Sequence, residues 1–113
     1  MTMKAAIQEW DNKNAEDIEA VYMQFSGDND FTENLIEFLP DKGLQRGTTW
    51  LIKRHFEQKG TLSEEKVSTL ISSLNMMQHW EAQLHILQCL PYLVIPEKDS
   101  KRLHDFLLVA IKF

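Results

Sequence analysis

The sequence predicts an all-α protein of about seven helices in one domain, and three observations lead to this fold class. Apolar residues recur at three- and four-residue spacing along most of the chain, which is the period of an amphipathic helix. Four glycines and three prolines are few for a protein of many strands and turns. The length of 113 residues, with 43% hydrophobic and 26% charged residues, is typical of a single folded domain.

The pattern of residues 1–27 predicts an N-terminal pair of helices that caps one end of the domain. The first helix has its apolar stripe at Met3, Ile7 and Trp10. The second helix has its stripe at Ile18, Val21, Tyr22 and Phe25. We expect Asn14 to be the N-cap of the second helix, and Gly27 to end it in the left-handed conformation.

Residues 30–59 predict the next helix pair. Asp30, followed three residues later by Glu33, resembles a capping box at the start of the third helix, and Pro40 ends that helix. The fourth helix is expected from about Leu44 to Lys59, before a glycine suited to the C-terminal position.

Residues 62–90 predict a second pair, and residues 99–113 predict one further helix. Thr61 or Ser63 is the expected cap of the fifth helix. The sixth helix is expected from about Gln78 to Leu90, before Pro91.

The two pairs repeat each other. The segment 35–39 matches the segment 70–74 at a spacing of 35 residues, and the segment 107–111 follows 37 residues later. At the same spacing of 35 residues, the segment 46–53 falls on the segment 81–88. A repeat of this length indicates stacked helical units.

These units resemble the HEAT and armadillo-like helical repeats over about residues 30–113. Asp41, five residues before Arg46, is similar to the Asp and Arg pattern that leads into the inner helix of such a unit. The second unit departs from that pattern, because Trp80 and Glu81 stand where an apolar residue and Arg usually occur. The resemblance implies a short right-handed α-α superhelix whose inner helices line a concave surface. An irregular helical bundle with coincidental core spacings is the alternative.

The last helix lacks a partner in this scheme, so it forms a half repeat over residues 99–113. Its unpaired apolar face is expected at Phe106, Val109 and Phe113. This face has three possible explanations. The last helix is a divergent capping helix, another chain covers the face, or the natural protein continues beyond residue 113.

A candidate binding face lies on the inner helices. At 100° per residue, Trp50 is opposite the apolar arc of the fourth helix and is surrounded by charged side chains. The 35-residue repeat places one face of the sixth helix beside Trp50. The expected partner-binding residues are Arg46, Trp50, Lys53, Arg54, Glu57, Glu81, His85 and Gln88. An exposed Trp beside Arg is typical of binding hot spots. The alternative is that Trp50 packs at the edge of the core.

The sequence predicts no catalytic centre, no metal site and no cofactor. His85 and Cys89 are spaced to share a metal, but no third ligand accompanies them. Asp28 and Asp30 suggest a calcium loop, yet the glycine and glutamate of that motif are absent. No phosphate loop or nucleophile elbow occurs.

Charge and cysteine content limit the partners and the compartment. The net charge is -5 and the acidic residues are spread along the chain, so we expect no nucleic-acid partner. A single cysteine and an N-terminus without a signal-like apolar run indicate a cytoplasmic protein. The apolar stretches are shorter than the roughly 20 residues of a membrane helix, so no membrane contact is expected.

The sequence therefore predicts a non-catalytic interaction module. It would bind a protein or peptide segment on its inner-helix face, or associate through its C-terminal end with another chain or a second copy of itself. One alternative is a HEAT-like DNA-binding or glycosylase-like repair protein, because Trp50 and Arg54 resemble the Trp and Arg of the DNA-binding groove in such proteins. The other alternative is a structural fragment of a longer repeat protein.

Overall fold

The protein is all-α, as the sequence predicts. The computed structural model describes residues 2–58, 62–77 and 79–111, with side chains as far as Phe106. These ranges contain seven α-helices and no strand. The helices are α1 (Met3–Glu9), α2 (Ala15–Phe25), α3 (Phe31–Phe38), α4 (Gln45–Glu57), α5 (Glu64–Ser73), α6 (Trp80–Cys89) and α7 (Glu97–Ile111). Single 3₁₀ turns, Leu74–Met76 and Leu90–Tyr92, extend α5 and α6.

Two of the predicted helix caps are present. The Asn14 side chain accepts a hydrogen bond from the Glu16 amide at 2.9 Å and so begins α2. Of the two candidates at the start of α5, Ser63 is the cap, and its hydroxyl accepts from the Lys66 amide at 3.4 Å. The rival candidate, Thr61, lies outside the described residues.

Two other local predictions are wrong. Asp30 makes no side-chain capping bond, because its backbone (φ -101°, ψ 13°) departs from the extended conformation in which a cap side chain reaches the first turn. Gly27 does not adopt a positive φ, since α2 ends in right-handed geometry at Ser26.

The helix ends also differ slightly from prediction. Helix α4 ends at Glu57, and the expected end at Lys59 lies outside the described residues, as does Gln78 before α6. Helix α7 begins at Glu97, two residues before the expected start at residue 99. Glu97 and Asp99 place two negative charges in its first turn, where they stabilise the positive end of the helix dipole.

Helix α4 is the centre of the structure. It packs against α1, α2, α3 and α6, and its contact with α6 is the most extensive between any two helices. The even-numbered helices α2, α4 and α6 contact one another in succession, and so do α3, α5 and α7. The helices therefore form two rows, while the superhelical twist of such rows stays a prediction.

The close approach of α1 and α2 to α4 depends on Gly47. This glycine is buried in the first turn of α4, and a Cβ atom placed on it would lie 2.8 Å from Cγ2 of Ile7. The same atom would lie 3.4 Å from the Trp10 ring and 3.6 Å from Ile18. The N-terminal pair can pack this closely because position 47 has no side chain.

Buried polar side chains join the central helix to its neighbours. The Gln45 side-chain amide donates to the Leu39 carbonyl at 3.1 Å and joins α4 to the end of α3. The Tyr22 hydroxyl and the His55 ring nitrogen Nδ1 are 3.3 Å apart and join α2 to α4. His55 is partly buried. Burial lowers its pKa, which favours the neutral ring.

Helix α7 is held to α5 by a polar cluster that the sequence did not reveal. The carboxylate of Asp99 is only 2% exposed and accepts a hydrogen bond from the Ser68 hydroxyl. Arg102 lies 3.6 Å from the same carboxylate and donates to the Ser72 hydroxyl. These bonds compensate for the burial of a charged group.

The packing at position 47 gives a stability prediction. In Gly47→Ala, overpacking costs about 1–3 kcal/mol, while replacing a glycine in a helix by alanine recovers at most about 1 kcal/mol. We expect a net loss of about 1 kcal/mol in the free energy of unfolding, measured by urea denaturation. The matched control is Gly27→Ala, because a Cβ there meets no atom within 4 Å. Equal stability of the two variants would contradict this account.

Candidate functional site

The centre of the predicted binding face is an ion pair between α4 and α6. Nε of Arg46 lies 2.8 Å from a carboxylate oxygen of Glu81, although the angle is not that of a hydrogen bond. Nη2 of Arg46 lies 3.2 Å from Nδ1 of His79, the residue directly before α6. The spacing of 35 residues thus brings positions 46 and 81 together in space.

Trp50 lies in a groove beside this ion pair. The groove has a volume of 200 Å³, and its lining residues are Trp10, Asn12, Lys13, Ala15, Arg46, Trp50, Glu81 and His85. Trp50 is partly buried and packs against the core, so it is less exposed than the helical pattern alone indicated. The α1–α2 connection contributes Trp10, Asn12 and Lys13 to the groove lining.

The α1–α2 connection is itself rigidly organised. The indole nitrogen of Trp10 donates to the Asn14 carbonyl at 2.7 Å. The Asp11 carboxylate accepts from the amides of Lys13 and Asn14, both at 2.9 Å, and these bonds lower its pKa. Asn12 takes a positive φ of 63°, a conformation that Asn tolerates better than most residues. One wall of the groove is therefore a fixed turn.

His85 is held within the groove by Thr49. The Thr49 hydroxyl is 2.7 Å from the Gln45 carbonyl and 3.0 Å from Nδ1 of His85. Because the hydroxyl has one proton and the carbonyl is the closer acceptor, Nδ1 of His85 is the donor to Thr49. Burial, and next the charge of Lys53, lowers the pKa of His85, so the ring is neutral.

Two other basic residues of the predicted face also have carboxylate partners, one within the face and one on α2. Lys53 pairs with Glu57 along α4 at 3.0 Å. Arg54 faces α2, where its guanidinium donates to both carboxylate oxygens of Glu19 at 2.9 Å and lies 5.4 Å from the centroid of the Tyr22 ring. The structure therefore does not bring Arg54 together with the other predicted site residues.

The far end of the face adds little chemistry. Gln88 is exposed on α6. Cys89 is buried, its thiol donates to the His85 carbonyl at 3.2 Å, and burial raises its pKa to about 12. Within the described ranges, no three His, Cys, Asp or Glu side chains are placed to hold a metal ion.

The predicted C-terminal association face is described only in part. Phe106 is half-buried and borders a groove of 590 Å³ that is lined by Asn75, Gln83, Lys98, Lys101, Arg102, Asp105 and Phe106. The Val109 side chain and Phe113 lie outside the described residues.

Sequence reasoning missed an apolar surface on α6. Five of the six exposed large apolar side chains in the described ranges are Met76, Trp80, Leu84, Tyr92 and Val94, which lie in α6 and the segments beside it. A helical wheel of α6 would have shown this surface, because its buried residues Ala82, Ile86 and Cys89 are opposite Trp80, Leu84 and Leu87.

Comparison of the chain with family models, curated proteins and solved structures found no match. Among the helices in the described ranges, none has the length and apolar character needed to cross a membrane.

The lowered pKa of His85 gives a pH prediction. Below the ordinary histidine pKa of 6.5, the unfolded chain takes up a proton that folded His85 resists, so the free energy of unfolding falls as the pH falls. In His85→Gln this decrease should be smaller between about pH 7 and 5.5, as measured by urea denaturation. The control is His104→Gln, which removes an exposed imidazole. An equal reduction of the slope in both variants would refute the assignment.

Proposed function

We propose that this chain is a non-catalytic, cytoplasmic interaction module with a short HEAT-like stack of helices, and that it binds a protein segment at the α4–α6 face. The observation that carries the proposal is the groove in which Trp50 lies beside the Arg46–Glu81 ion pair and His85. Aromatic and Arg side chains in one concavity are the usual composition of a protein-binding hot spot.

The order of helix contacts supports the repeat arrangement within this proposal. In a HEAT-like stack, inner helices contact inner helices and outer helices contact outer helices. Here α2, α4 and α6 contact in succession, as do α3, α5 and α7. The α4–α6 face then corresponds to the inner surface that such stacks use for binding.

The charge distribution favours a protein segment over a small metabolite. Arg46 is paired with Glu81, and the His85 ring is neutral, so the groove combines an apolar platform with donors and acceptors that nearly balance in charge. A peptide backbone carries alternating donors and acceptors beside apolar side chains, and this mixture complements the groove.

The DNA-binding alternative receives less support. Each basic residue of the predicted face has a carboxylate within 3.0 Å: Arg46 with Glu81, Lys53 with Glu57, and Arg54 with Glu19. Such pairing reduces the positive potential that phosphate binding requires.

Site-specific cross-linking tests the proposed function. We expect a photoreactive benzoylphenylalanine at Gln88, which is exposed on this face, to cross-link a cellular protein when the full chain is expressed in its source cell. Adding Trp50→Ala should weaken this capture by roughly 30-fold, because truncating a central hot-spot Trp costs about 2 kcal/mol or more.

The matched control places the same photoreactive residue at Gln24, an exposed glutamine on α2. Cross-links that are identical from Gln24 and Gln88, or that persist in Trp50→Ala at full yield, would argue against the groove. Cross-links to DNA in place of protein would favour the alternative.

A further inference from the structure

Helix α6 has an apolar surface on the side away from the core. At about 100° per residue, Trp80, Leu84 and Leu87 fall within a narrow arc, opposite the buried Ala82 and Ile86. Trp80 is 68% exposed and Leu84 is 41% exposed, while Leu87 packs partly against the core. We call these three residues the outer stripe of α6. Exposed apolar side chains gathered in this way indicate a binding surface.

The outer stripe borders the groove between α6 and α7. Gln83 belongs to the groove lining, and it lies one helical turn from both Trp80 and Leu87. Its side-chain amide donates to the Leu74 carbonyl at 3.1 Å, which fixes its position. The half-buried Phe106 adds an apolar side chain on the α7 side. Stripe and groove therefore form one continuous surface.

The α7 side of this groove is basic. Lys98, Lys101 and Arg102 line it, with Asp105 as the one carboxylate in the lining. Among the described residues, Lys98 and Lys101 form no ion pair, and both are exposed, whereas Arg102 is engaged with Asp99 and Ser72. Two cations in the groove lining are thus available to a partner of opposite charge, although the whole chain has a net charge of -5.

We propose that the outer stripe and the α6–α7 groove bind an acidic amphipathic helix from another protein. The partner would place an apolar face, repeating at three- and four-residue spacing, on Trp80, Leu84 and Phe106. Its acidic residues would flank that face and pair with Lys98 and Lys101. This inference rests on the proposed interaction role but uses a surface separate from the Trp50 groove.

Charge argues against a second copy of this chain as the occupant. A two-fold contact through the outer stripe brings the same patch of both copies together. Lys98 and Lys101 of the two copies would then flank one interface, and like charges facing each other are unfavourable. An acidic helix meets the same apolar stripe without that repulsion.

The test is a titration of the full chain with two labelled helical peptides, followed by fluorescence anisotropy. Both peptides carry leucines at three- and four-residue spacing, and their flanking positions are Glu in one and Lys in the other. We expect the wild-type chain to bind the Glu peptide at least roughly 10-fold more tightly than the Lys peptide, since two charge pairs form only with the former. Failure to bind the Glu peptide, or equal binding of both, overturns the proposal.

Charge reversal makes the test specific to this surface. We expect Lys98→Glu/Lys101→Glu to reverse the preference between the peptides. The control is Lys4→Glu/Lys42→Glu, which changes the net charge equally at exposed lysines on other parts of the surface and should keep the wild-type preference. A reversal of similar size in the control overturns the proposal, because it would reflect the charge of the whole chain.

Two further measurements identify the apolar contact and the competing occupant. Trp80→Ala should weaken binding of the Glu peptide by roughly 30-fold, and Trp50→Ala should leave it unchanged.

A wild-type dimer in native mass spectrometry that Leu84→Glu converts to a monomer would show that a second copy occupies the stripe. The peptide titration can fail while capture through the Trp50 groove succeeds, so the two proposals can be refuted separately.

Discussion

The packing of α4 against four other helices is the constraint on which the rest of the structure depends. Gly47 lets α1 and α2 approach α4 closely, and Gln45 joins it to the end of α3. Thr49 bridges α4 to α6 through His85. Because these contacts fix α4 on several sides, its neighbours meet at defined distances, and the α1–α2 turn is brought to the edge of the α4–α6 face. The Trp50 groove is a consequence of this arrangement.

Ion pairing divides the charged residues into two groups. Arg46, Lys53 and Arg54 each hold a carboxylate, on α6, on α4 itself and on α2 respectively, and this pairing reduces the positive field that each presents. Lys98 and Lys101 have no such partner among the described residues and remain hydrated on α7. A cation without an internal partner keeps its long-range field, which attracts anionic groups more strongly than a neutralised pair does.

Much of the fold follows from helical periodicity, since α-helices depend on local spacing that a sequence displays directly. Asn14 and Ser63 cap helices as expected because a cap acts within three residues. The site was harder to predict, because it depends on contacts between distant segments. The partner of Arg54 on α2 and the burial of Asp99 against α5 have no local signature. The lining of the Trp50 groove likewise depends on where the α1–α2 connection packs.

The burial of Cys89 has a consequence for the motion of α6. It is the single thiol of the chain, it donates to the His85 carbonyl, and its pKa of about 12 leaves almost no thiolate at neutral pH. An alkylating reagent can reach the sulfur only when α6 separates from its neighbours. The rate of thiol labelling therefore reports the free energy of that local opening, so the native chain contains its own probe of how firmly α6 is held.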